Sequence, residues 1–146
     1  MPQSDAPLGA RLTVAFKPLG ELATAPASRP LLLADQLTPH TPRDMAPRRV
    51  AVTNLTARTL SVRMRATASG PELDELVAIE VEAGGKRVFH GKLRELRRWT
   101  ARGFTVRGRD TQQIELRAWL PPSASEGYQG RSVELTLEWK PRLVRA

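Results

Sequence analysis

The chain has 146 residues, a length that suits one domain around one core. Hydrophobic residues make up 40% of it and charged ones 26%, a balance that excludes wholesale disorder. It contains no cysteine, which removes disulfides, thiolate metal sites and a cysteine nucleophile while saying little about compartment. The net charge is +8, and Lys86–Arg109 holds nine basic residues against the single acid Glu95, so this stretch carries the whole excess. A local basic segment of this kind points to an anionic partner or to a solvated face.

In chain order, Met1–Asp5 has neither a basic start nor an apolar stretch and does not read as an export signal. If the natural protein is exported, this is the expected mature part. Residues 1–9 read as a flexible tail and residues 10–146 as one domain. Arg11–Phe16 alternates, with Leu12, Val14 and Phe16 on one face. Ala23–Pro30 carries few order signals, and Pro30–Ala34 is long enough only for an edge strand or a packed loop. Pro39–Pro47 is a loop by composition. Arg49–Asn54 is a short strand candidate, and Thr59–Arg65 groups Leu60, Val62 and Met64. Leu76–Glu82 groups Val77, Ile79 and Val81. Gly84-Gly85 then reads as a hairpin turn leading into Arg87–His90.

Leu93–Trp99 is the one place where a helical turn is plausible, because Leu93 and Leu96 are three apart. Phe104–Arg107 is another short strand. Gln113–Leu120 groups Ile114, Leu116, Ala118 and Leu120 and puts Trp119 out of phase, on the opposite face. An exposed Trp119 would be an interface candidate. Pro121–Gly130 is a loop. Ser132–Lys140 alternates most cleanly, with Val133, Leu135, Leu137 and Trp139 on one side. Alternation of this kind marks half-buried antiparallel strands. Seven to nine of them with no long helix predict an all-β, jelly-roll-like, two-sheet antiparallel sandwich. No segment approaches the roughly 18–20 apolar residues of a membrane-spanning helix.

Catalytic chemistry has no constellation to stand on. His40 and His90 are fifty residues apart, with no His-Glu-x-x-His for zinc and no Gly-x-Ser-x-Gly elbow. No enzyme activity, cofactor or metal is therefore expected, and each histidine reads as a surface or loop residue. Asn54-Leu55-Thr56 matches a glycosylation sequon, but Asn54 reads better as the residue closing a strand.

The order of segments resembles the TasA/camelysin family of exported bacterial surface and matrix proteins. The likeness runs from Leu8–Val14, through Leu37–Pro42 followed by Arg49–Asn54 and through Leu73–Leu93, to the pair Leu120-Pro121 and Tyr128-Gln129-Gly130 before the last strand. The resemblance implies a jelly roll, a secreted or cell-surface location, and structural roles for Asn54, Leu120, Pro121, Tyr128, Gln129 and Gly130. It also implies assembly into a homo-oligomer or fibre by β-strand addition, with Leu12, Val14 and Phe16 on the assembly strand. The alternative is a monomeric surface module that docks an anionic cell-wall or matrix polymer on Lys86, Arg87, Lys92, Arg94, Arg97, Arg98 and Arg102. Single-stranded nucleic acid, held by those cations with Phe89, Trp99 and Phe104 interleaved, is a less favoured partner.

Overall fold

The computed structural model describes residues 9–25, 30–39, 47–68, 75–122 and 130–144. They form ten strands: β1 (Ala10–Pro18), β2 (Leu22–Ala25), β3 (Leu31–Leu37), β4 (Arg48–Asn54), β5 (Leu60–Ala68), β6 (Ala78–Ala83), β7 (Lys86–Lys92), β8 (Phe104–Val106), β9 (Thr111–Trp119) and β10 (Ser132–Leu143). A single 3₁₀ turn, Leu93–Arg97, follows β7 and buries Leu93 and Leu96, the two leucines that fall three apart. No helix of the described residues is long and apolar enough to cross a membrane.

The strands make two five-stranded sheets, β3-β1-β10-β5-β8 and β2-β4-β9-β6-β7, packed face to face. Between them lie the alternating apolar positions of the sequence, including Leu12 and Val14 of β1, Val62 and Met64 of β5, Ile114 and Leu116 of β9, and Leu135, Leu137 and Trp139 of β10. Trp139 is fully buried, with its ring against Phe16 and edge-on to Phe104. The all-β sandwich therefore follows from the period-two pattern, as expected.

Its connectivity has a plain logic. Without β1 and β2, the remaining eight strands fall in the orders β3-β10-β5-β8 and β4-β9-β6-β7, with the chain passing between sheets in jelly-roll fashion. Strand β2 merely extends one sheet by pairing with β4. Strand β1 is different, because it lies between β3 and β10, antiparallel to the first and parallel to the second. That parallel pair is the one departure from an antiparallel sandwich.

Three further details refine the sequence reading. Leu22–Ala25 is a strand although its residues give little signal, because β4 supplies its ladder. In β6 the outward Ala78 and Glu80 are buried as well as the inward residues, since the Arg87 and Arg117 guanidiniums close over Glu80. Gly84 and Gly85 both have positive φ, 57° and 81°, which is the two-residue turn that matches strand twist in a hairpin.

Candidate functional site

The first predicted group, Leu12, Val14 and Phe16, points into the core from an interior strand. Leu12 pairs with Val133, Val14 with Leu135 and Phe16 with Leu137 on one side, and β3 fills the other. In the single chain both ladders of β1 are thus occupied. What joins β1 to the rest is short: Leu19–Glu21 carries the chain from one sheet to the other, with Pro18 before it. The Leu19 N–H donates to the Trp139 carbonyl at 2.9 Å. Gly20 sits at φ 58°, and a Cβ there would fall 2.9 Å from Pro141 Cγ.

Asn54 is wholly buried at the end of β4. Its Nδ2 donates to the carbonyls of Arg58 (2.6 Å) and Val106 (2.9 Å), with that of Arg107 at 3.2 Å. Its Oδ1 accepts from the Thr56 N–H (2.9 Å) and hydroxyl (2.7 Å). Every polar atom of the side chain is engaged in tying the β4–β5 turn to the end of β8, so no glycan can be attached there. Leu120 is buried and Pro121 half-buried just after β9. Gly130 precedes β10, and the Arg131 carbonyl accepts the Arg11 N–H at 2.9 Å, starting the β1–β10 ladder. Tyr128, Gln129, His40 and the tail residues 1–8 lie outside the described residues. His90 stacks on Trp119, centroids 5.4 Å apart, across the outer face of the β6 sheet, so Trp119 is half-buried rather than bare.

The basic segment does not form one patch. Arg87 pairs with Glu80 at 3.1 Å, and Arg94 with Glu75 at 3.2 Å. Arg109, at φ 62°, donates to the Leu55 carbonyl in the turn beside Asn54. Lys86, Arg87, Arg98 and Arg102, by contrast, converge on the side of the sandwich where edge strands β7 and β8 face each other. There a cleft of 650 Å³ is lined by Lys86, Arg87, Val88, Arg102, Phe104 and Gln112, among others. A second, of 380 Å³, is lined by Val88, Phe89, Glu95, Arg98, Trp99 and Arg102, among others. Lys92, Arg94 and Arg97 line neither.

Sequence reasoning missed a second group of cations. On the outer face of the β1 sheet, Ser61 and Arg63 of β5, Lys140, Pro141 and Arg142 of β10, and Trp99 line a cleft of 410 Å³. Trp99 is held over these strands by its neighbour. The Thr100 N–H donates to the Met64 carbonyl (2.9 Å), and the Met64 N–H donates to the Thr100 hydroxyl (3.3 Å). Arg65 Cζ lies 4.5 Å from the Trp99 ring centroid and Lys140 Nζ 5.3 Å. Alternation marked Arg63 and Lys140 only as outward residues, and Arg142 lay beyond the last predicted strand; the pairing of β5 with β10 is what brings them together.

Among the described residues no group of three His, Asp or Glu side chains is placed to hold a metal ion. Comparison with protein-family models finds no match, and comparison with curated proteins finds no relative.

Proposed function

We propose that this chain is a non-enzymatic, exported structural protein, a surface or matrix fibre subunit in which β1 of one copy completes the sandwich of the next. The observation that carries the reading is the place of β1. It is the first strand of the described residues, and it is inserted between two strands, β3 and β10, that would be neighbours in an ordinary jelly roll. Taking it out leaves a slot about 9.5 Å wide, two strand spacings. The slot offers a ladder on each side and places for Leu12, Val14 and Phe16, each worth roughly 1.5–3 kcal/mol on burial. An identical strand from another copy satisfies the same contacts. Short hinges under conformational constraint favour such exchange, and Pro18 and Gly20 bracket one here. Because donor strand and slot are different surfaces, exchange that runs head to tail gives open chains, whereas reciprocal exchange between two copies closes into a dimer. The surface and matrix setting is supported by the resemblance of the segment order to the TasA/camelysin family.

The absence of cysteine makes a direct test simple. Thr13 and Glu134 are partners in the β1–β10 register and lie on the outer face. Their double replacement, Thr13→Cys with Glu134→Cys, creates a crosslink across that pair. Oxidation of concentrated protein is expected to give a ladder of covalent multimers on a non-reducing gel. A crosslink found only within single chains at every concentration would overturn the reading.

A further inference from the structure

The β5–β10 ladder contains an electrostatic arrangement that stability does not explain. Lys140 stands directly opposite Arg63, and Arg142 opposite Ser61, one rung beyond. Like charges directly across a ladder are unfavourable. One rung in the other direction Arg65 faces Glu138, and the two form a 3.0 Å ion pair. The outer face of the other sheet is likewise neutralised, through Arg87 and Arg117 on Glu80, Arg117 on Glu82 and Arg49 on Glu115. Arg63, Lys140 and Arg142, by contrast, form an exposed cation cluster for which the described residues supply no carboxylate partner.

The cluster does not stand by itself. Trp99 lines both its cleft and the neighbouring one, and Val88 and Arg102 line that second cleft and the third. The three hollows are therefore consecutive. They run from Arg142, Lys140 and Arg63, past Trp99, to Arg98 and Arg102, and on to Lys86 and Arg87. Glu95 is the only acid among their lining residues.

We infer that this track binds a linear acidic polysaccharide, with Trp99 as the platform for a sugar ring and the flanking cations holding its carboxylate or sulfate groups. Several features select this class. The track is a chain of discrete cations, suited to charges spaced along a polymer. It offers one partly exposed tryptophan, whose apolar face matches the C–H face of a pyranose. Single-stranded nucleic acid needs successive stacking platforms; Phe104 of the third cleft is buried in the core and Phe89 of the second is packed against it, which leaves Trp99 as the platform that stands off the core. The inference stands independently of strand exchange, because no residue of β1 lines the track.

The test uses the intact chain and four probes: polygalacturonate for carboxylate, dextran sulfate for sulfate, uncharged dextran, and oligo-dT for nucleic acid. Binding of at least one of the two acidic polysaccharides, weakening with added salt, and no binding of dextran are expected. Lys140→Glu and Trp99→Ala should each weaken the preferred polymer at least tenfold. Arg94→Gln, which lies off the track, should stay within twofold. Lys140→Glu should also keep or raise the melting temperature, because it replaces a repulsive pair with an attractive one; binding loss with stability intact separates recognition from folding. Failure to bind either acidic polysaccharide, an equal loss in Arg94→Gln, or tighter binding of oligo-dT at the same salt would each overturn the inference.

Discussion

Asn54 carries five contacts at full burial, so the chemistry of its amide can be tested atom by atom. Asn54→Ala strands the Val106 carbonyl and the Thr56 donors and is expected to cost about 2–4 kcal/mol, at the upper end for lost buried hydrogen bonds. Asn54→Asp should be worse, because it turns an acceptor oxygen toward carbonyls that need a donor. Urea unfolding of the three proteins orders them. At Lys140 the sign reverses. Lys140→Glu opposite Arg63 should gain about 0.2–1 kcal/mol, the range for an opposite-charge cross-strand pair, in the same measurement. Of these two positions, Asn54 reads from the sequence as the residue closing a strand, and its contacts are structural. Lys140 reads as plain solvent face and stands in the unneutralised cluster.

Among the elements, the β1–β2 hinge is the most informative. Closing β1 into its own chain requires Gly20 at positive φ with its α-carbon close to Pro141. A side chain there meets both constraints. Gly20→Val should therefore destabilise the closed chain by about 1–2 kcal/mol from the backbone alone, while leaving the slot unchanged. On the exchange reading the oligomeric fraction should rise, and light scattering after size exclusion measures it; loss of stability with no shift in oligomeric state would argue that β1 belongs to its own chain. A proline within β1 cannot make this distinction. Val14→Pro removes a ladder donor from an interior strand and so disrupts the closed and exchanged forms alike.

For the whole molecule, the relevant quantity is how much of the sandwich depends on β1. A chain beginning at Leu19 keeps all eight strands of the jelly roll but opens the core between β3 and β10. Such a chain should melt lower and aggregate. A synthetic peptide of residues 9–18 should restore its melting temperature in a dose-dependent way, since a ligand of the folded state stabilises by mass action, about 2.7 kcal/mol at a hundredfold excess over its Kd. A calorimetric titration reads this directly. Absence of rescue would mean that the slot collapses when empty.

Most of the architecture was legible in the sequence because it is a local property. Alternation along Arg11–Phe16, Thr59–Arg65, Gln113–Leu120 and Ser132–Lys140 fixes which face of each strand is buried, and Gly84-Gly85 fixes one hairpin. These signals need no knowledge of neighbours. Leu22–Ala25 escaped because its order comes from β4 rather than from its own residues. The same distinction separates the two candidate sites. The basic run is visible as composition, but folding disperses it, pairing Arg87 and Arg94 with acids outside the run and placing Lys86, Arg87, Arg98 and Arg102, but not Lys92, Arg94 or Arg97, along the clefts. The Arg63–Lys140 juxtaposition spans 77 positions and exists only through the β5–β10 register. So the sequence by itself determined that this is an all-β sandwich with buried alternate residues, since side-chain period and burial are set within each strand. Only the tertiary structure decided that β1 wedges parallel to β10 and that Trp99 lies among cations from three separate segments, since strand partners and register are set by contacts the chain makes far from each residue.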